Sequence, residues 1–295
     1  MQAKSFEFNV ADFSILIESK DNSLLVFEDG YTHFISETSK RDKDFDVTVE
    51  AYCGIPDLFK KEDEKVFEAK QDGFKLWRIE KTRGGFKFII QNQRSIGKIQ
   101  QVAFATNSFK NWKIYCEEIE QDGHRFICPL LYPFGPLLMY YLTYNSDALM
   151  VHASGVFDGE NGRIFSGFSG VGKSTMAKIW QSNGSKIIND DRLIIRKIKQ
   201  NYYFYNTPMF YEDEPKKSPL NYIYLPFHSP KNSFEKLNVK NAVESFFPFC
   251  IQHSYNSELM ERHLDVISDL CSVIPVSKLG VVPTKEVITF IKDND

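Results

Sequence analysis

The chain has 295 residues, which at roughly 100–200 residues per domain points to two domains. A hydrophobic fraction of 42% and a charged fraction of 25% exclude a long disordered chain. Lys and Arg number 36 against 39 Asp and Glu, a net charge of −3, so no face built to neutralise nucleic-acid phosphates is expected.

The first part of the chain, residues 1–127, reads as a β-rich N-terminal domain. Runs such as SFEFNVADFSILIES, DFDVTVEAYC, GFKLWRIEKTR and NWKIYCEEI are rich in Phe, Ile, Val and Tyr, and turn signals such as Asp29–Gly30 and Gly84–Gly85 separate them. Nothing in this half has catalytic spacing; His33 and His124 have no partner at ligand spacing. The 26 Phe and 14 Tyr are spread over many strands, which favours packing over a platform for stacking bases. Cys53, Cys116, Cys128, Cys250 and Cys271 are odd in number and form no C-x-x-C pair. Reduced thiols in a cytoplasmic protein are the expectation. The opening MQAKSFEFNVADF lacks an apolar core followed by small residues, so no signal peptide is expected.

Residues 128–295 have a different texture and are assigned to a second domain. Its opening CPLLYPFGPLLMYYLTY is the most apolar stretch, but Pro129, Pro133, Pro136 and Gly135 interrupt it. It is also shorter than the about 20 residues of a membrane span, so it reads as a buried loop and a core helix starting near Pro136. Strands are expected at Ala148–Phe157 and Arg163–Ser166, then a glycine loop and helix to Ser182, stopped by Asn183–Gly184. A short strand Lys186–Ile188 leads to Asn189–Asp190–Asp191, with a hairpin of Arg192–Ile198 and Tyr202–Asn206 beyond. A strand at Leu220–Leu225, helices near Lys240–Phe247 and Ser257–Cys271, a strand near Val273–Lys278 and a final helix from about Thr284 complete a mixed α/β chain.

Gly167–Ser174, GFSGVGKS, fits G-x-x-x-x-G-K-[ST], the Walker A pattern of a P-loop. Glycines let the backbone turn tightly and aim N–H groups inward, and the positive end of the following helix attracts phosphate. Gly167, Ser169, Gly170, Val171, Gly172, Lys173, Ser174 and Thr175 are the expected nucleotide cradle. Within it Lys173 supplies a point charge for β- and γ-phosphates and the Ser174 hydroxyl a ligand for Mg²⁺. The pattern alone does not choose between ATPase, GTPase, kinase and switch. Asp190 and Asp191 are expected at the end of a strand beside that loop, where one carboxylate can bind Mg²⁺ and another can take a proton from an attacking hydroxyl. An Asx turn is the structural alternative. His152 stands in the apolar strand ALMVHASGVF; Ala153, Ser154 and Gly155 after it leave space for something to approach, and a core histidine is the alternative.

The segment VHASGVF … GRIFSGFSGVGKSTMAKIW … KIINDDRLII resembles the kinase core of HPr kinase/phosphorylase and its wider family, which is related in fold to phosphoenolpyruvate carboxykinase. Fifteen positions from His152 to Gly167 and seventeen from Lys173 to Asp190 are similar to that family's spacing. The close resemblance covers about Val151–Ile195. It implies a P-loop HPr-kinase-like C-terminal domain that uses ATP and Mg²⁺. It further implies that Lys173 and the loop hold ATP, that Ser174 and Asp191 bind Mg²⁺, and that Asp190, assisted by His152, is the catalytic base. Arg192 matches a family arginine that steadies phosphate or the aspartates. The implied activity is phosphoryl transfer to a hydroxyl, a serine of a peptide or small protein. A small-molecule kinase or carboxykinase-type enzyme and a non-catalytic nucleotide-dependent binding module stay open, as does homo-oligomerisation. No membrane partner is expected. Asn206 and Tyr211 stand where looser relatives carry glycines around Thr207–Pro208 and Glu212, and the β-rich first half does not resemble the first domain of the HPr enzyme.

Overall fold

The computed structural model describes residues 4–21, 23–36, 44–71, 73–91, 98–121, 123–251 and 253–295; the first three residues of the opening MQAKSFEFNVADF lie outside them. The chain is mixed α/β and strand-rich. It divides into two compact units, Met1–Asn145 with Pro208–Glu214, and Ser146–Thr207 with Pro215–Asp295. No helix among the described residues is long and apolar enough to cross a membrane.

In the first unit the strands are β1 (Ser5–Val10), β2 (Phe13–Ser19), β3 (Leu24–Leu25), β4 (Ile35–Ser36), β5 (Val47–Cys53), β6 (Glu64–Gln71), β7 (Phe74–Thr82), β8 (Gly85–Gln91), β9 (Ile99–Thr106), β10 (Asn111–Cys116), β11 (Ile119–Gln121) and β12 (His124–Ile127), with helices α1 (Asp57–Lys60) and α2 (Phe134–Leu142). One sheet runs β4-β1-β2-β5-β10-β9-β8-β7-β6, and a smaller one β11-β12-β3. The aromatic residues pack, as their spread implies. Tyr141 of α2 stacks on Phe109 at 4.3 Å, and Phe134 meets Trp112 edge-on at 5.6 Å.

Sequence reading passes over β6 and β9 for physical reasons. EKVFEAKQ at β6 is charged because it is the sheet's outer strand, where charge blocks further pairing. The Gln100–Gln101 pair makes β9 look polar, yet both are buried: Gln101 Nε2 donates to the carbonyls of Cys128 and Pro129 at 2.9 and 3.0 Å, and Gln100 Nε2 to that of Tyr132 at 2.9 Å. These bonds tie the proline-rich loop to β9. The loop and α2 therefore belong to the first unit, and the second begins at Ser146 rather than at Cys128.

The second unit contains β13 (Ala148–Phe157), β14 (Gly162–Ser166), α3 (Lys173–Ser182), β15 (Lys186–Ile198), β16 (Asn201–Asn206), β17 (Lys217–Pro219), β18 (Tyr222–His228), β19 (Ser233–Lys236), α4 (Val239–Phe246), α5 (Ser257–Val273), β20 (Val276–Val281) and α6 (Glu286–Lys292). Its sheet runs β17-β16-β15-β13-β14-β18-β20-β19, with β14, β18 and β20 mutually parallel. Val156, Phe165, Met176, Trp180, Val287 and Ile291 form a core on the α3 and α6 face. Val151, Ala153, Ile188, Leu193, Phe246 and Ile267 form the core on the α4 and α5 face. Alternating side chains of the central strands thus feed two cores, which is why ALMVHASGVF reads as almost wholly apolar.

One expectation is corrected here. Asn189–Asp190–Asp191 neither ends a strand nor forms a turn. Lys186–Ile198 is a single strand that pairs antiparallel with β13 throughout. Gly155 pairs with Asn189 and Val156 with Ile187, so Ile188 is an extra residue, a bulge one position before Asn189. Side chains serve the backbone there: Asn189 Nδ2 donates to the Arg192 carbonyl at 2.6 Å, and the Asp190 N–H donates to Asn189 Oδ1 at 2.9 Å. Local polarity resembles a turn, but the long partner strand carries the pairing through.

Candidate functional site

β14 is buried along its length and ends at Ser166, where the chain leaves the sheet and loops into α3. Gly170 and Gly172 have φ of +84° and +101°, a left-handed backbone that residues with a Cβ adopt at a cost. Helix α3 starts at Lys173, and the first backward bond is from the Met176 N–H to the Gly172 carbonyl at 2.9 Å. The amides before it sit in the first turn, which offers no intrahelical acceptors. Backbone N–H groups, the positive helix end and an ammonium group thus converge, an arrangement suited to an anionic group. Ser169, Gly170, Ser174 and Thr175 are exposed, Val171 is half-buried, and Gly167 is buried.

Lys173 is 8% exposed, and its Nζ donates to the carbonyls of Gly167 at 2.8 Å and Phe168 at 2.9 Å. Burial pushes its pKa down, while the charges of Asp190 and Asp191 pull it up. The ammonium therefore senses both carboxylates. His228, at the end of β18, donates from Nε2 to the Gly170 carbonyl at 3.1 Å, bracing the loop from the neighbouring parallel strand.

Across the sheet, β13 and β15 bring the other groups together. Ser154 lies opposite Asp190, and its buried hydroxyl donates to Asp190 Oδ1. His152 Nε2 is 3.5 Å from Asp191 Oδ1, and Arg192 Nε is 3.5 Å from Asp191 Oδ2. In this structure the carboxylate that His152 approaches is that of Asp191, the neighbour of the expected Asp190. The core alternative for His152 is excluded as well, since its side chain is 46% exposed. Partial burial, and then the positive charge of Lys173, lower its pKa, so the imidazole is neutral near pH 7.

Of the small residues after His152, Ser154 serves Asp190 and Gly155 serves packing. A Cβ on Gly155 would come within 2.5 Å of Phe204 Cε2 and 2.9 Å of Leu193 Cδ1. Ser154 and His228 are not singled out by the sequence pattern, because a lone serine and a strand-end histidine carry no spacing signal. Glu212 lies in the first unit, 2.8 Å from His33 Nε2. Among the described residues, no group of three or more His, Cys, Asp and Glu gathers to hold a metal ion.

No family model and no curated protein matches the sequence. Among solved structures, the HPr(Ser) kinase/phosphatase from Coxiella burnetii matches with a TM-score of 0.30 and 9% identity, over 49% of this chain and 94% of that chain. So loose a likeness carries no argument about chemistry, which rests on the residues themselves.

Proposed function

We propose that the chain is an ATP- and Mg²⁺-dependent phosphotransferase acting on a hydroxyl, a serine of a peptide or small protein. The observation that carries this reading is a glycine loop with a buried lysine beside the strand of the paired aspartates: Ala153 of β13 pairs with Ser166, where the loop begins, on one side and with Asp191 on the other. When bound, MgATP supplies the phosphoryl group and the metal charge that offsets its oxygens. The loop amides and Lys173 bind the phosphates. Ser174 and an aspartate offer the one or two protein oxygens that Mg²⁺ takes beside phosphate, so a three-ligand protein cluster is not required.

Asp190, oriented by Ser154 through Oδ1, keeps Oδ2 to accept the proton of the hydroxyl, and Asp191 supplies the metal oxygen. The 3.5 Å approach of His152 to Asp191 favours a second reading in which these two carboxylates exchange roles. His152 acts on the Asp191 carboxylate by its position 3.5 Å away.

The test is thermal unfolding with and without MgATP. A ligand that binds only the folded state at about 100 times its Kd adds about 2.7 kcal/mol. Lys173→Ala is expected to abolish most of that stabilisation; an undiminished shift in the variant would remove the loop as the nucleotide site. γ-labelled ATP added to fractionated lysate is expected to label protein. Label on a metabolite would redirect the reading to a small-molecule kinase, and binding without turnover to a nucleotide-dependent binding module.

A further inference from the structure

The phosphate-loop pattern carries an aromatic side chain where solvent would favour a polar one: Phe168 is 69% exposed. Its ring is held edge-on against Phe249, with centroids 5.0 Å apart and planes at 84°. Phe249 is anchored, since it packs on the core beneath α4 and α5.

Backbone pairing fixes where this ring pair lies. β14 accompanies β13 only from Ala153 to Phe157. Beyond that the side vacated by β14 is taken by Cys250–Ile251: Cys250 bridges Val151, and the Ile251 N–H donates to the Met150 carbonyl at 2.8 Å. Phe249 therefore stands beside the stretch of β13 that presents His152. Phe168 is tied to the same place from the other direction, because its carbonyl accepts from Lys173 Nζ at 2.9 Å. In this motif the lysine reaches the β- and γ-phosphates. The ring pair thus borders the γ-phosphate end of the loop, where the acceptor must enter.

We infer that Phe168 and Phe249 form the subsite for the acceptor, and that the acceptor is a peptide segment with aromatic or aliphatic residues flanking its hydroxyl-bearing residue; this rests on the phosphotransferase reading above. The rings are too open to enclose a metabolite, whose sites are concave and cover most of the ligand. They suit one face of a side chain from an extended segment, and a ring packed there also keeps water from the phosphate.

The experiment uses the full chain and two synthetic peptides that differ only in the residues flanking a central serine, Phe on both sides or Asp on both sides. Binding is measured by fluorescence anisotropy with Mg²⁺ and a non-hydrolysable ATP analogue, and again without nucleotide. The Phe-flanked peptide is expected to bind about tenfold tighter, the scale of one well-packed aromatic contact. Phe249→Ser is expected to bring the ratio to about one with nucleotide affinity near wild type, and to lower the melting temperature because the ring also packs on the core. Phe168→Ser is expected to abolish the ratio as well. Equal affinities for the two peptides in the wild type, or a ratio that survives both variants, would overturn the assignment. Thermal unfolding with and without the analogue, which reads its binding directly, separates the two ideas. Failure of the analogue to bind would remove the phosphotransferase reading, whereas the peptide ratio reports on the aromatic subsite alone.

Discussion

Asp190 and Asp191 are neighbours in sequence but have different partners. Asp190 accepts from the buried Ser154 hydroxyl, whereas Asp191 faces His152 and Arg192. A carboxylate held on one oxygen by a buried hydroxyl keeps its aim, which suits proton acceptance. One that lies on the more exposed side, beside an imidazole and a guanidinium, suits a metal ion. Asp190→Asn is therefore expected to lower phosphoryl transfer by a factor on the order of 10²–10⁴ with MgATP affinity nearly intact. Asp191→Asn is expected to raise the Mg²⁺ concentration needed for half-maximal transfer. Single-turnover transfer titrated with Mg²⁺ distinguishes the two, and the reverse pattern would establish the exchanged roles.

At the scale of elements, the central pair β13 and β15 depends on a close fit at its bulge. Gly155 gives its space to Phe204 and Leu193. Gly155→Ala forces both side chains to move, and overpacking of this kind costs about 1–3 kcal/mol. Urea denaturation is the measure, and an unchanged midpoint would show that the bulge relaxes freely.

Helix α5 carries a second consequence. Burial lowers the pKa of His253, just before the helix, to about 3, and that of His263, within it, to about 4. Both ordinarily titrate near 6.5, so between that value and the folded ones the unfolded chain binds the extra protons. Stability then falls as pH drops through this window, by up to about 1.4 kcal/mol per pH unit for each imidazole. Asp158, lowered to about 2 by hydrogen bonds from the Asn161 and Glu160 amides and by Lys292, loses its contribution only below about pH 4. Melting temperatures between pH 7 and 4.5 should therefore decline, and His263→Gln should flatten the decline. A flat profile in the wild type would show that neither histidine resists protonation.

For the molecule as a whole, the two units have separate cores and separate polar anchors. In the first, Glu80 is fully buried between Lys87 at 2.6 Å and Arg78 at 2.7 Å, and also accepts from the Asp63 N–H at 3.0 Å. Lys87→Met removes one cation from a buried carboxylate, a loss of about 3 kcal/mol at the lower end for broken buried pairs, since Arg78 remains. If each unit unfolds on its own, calorimetry resolves two transitions, of which Lys87→Met lowers one and MgATP raises the other. A single transition moved by both perturbations would show that the units unfold together.

The sequence by itself determined the strand–loop–helix around Gly167–Ser174, the ends of β13 and α3, and the packing role of the aromatic residues. Those features depend on local rules: glycines where the backbone turns left-handed, a helix that needs a stop, and apolar runs that must be buried. It did not determine that Asp190 and Asp191 lie within one continuous strand, because Asn189 and its bulge look like a turn until β13 is beside them. Only tertiary structure paired His152 with Asp191, set Ser154 against Asp190, placed Phe249 against Phe168 and drew α2 into the first unit through two buried glutamines. Each of these is a contact between residues distant in sequence, fixed by strand register and core packing, and such contacts leave no spacing pattern along the chain.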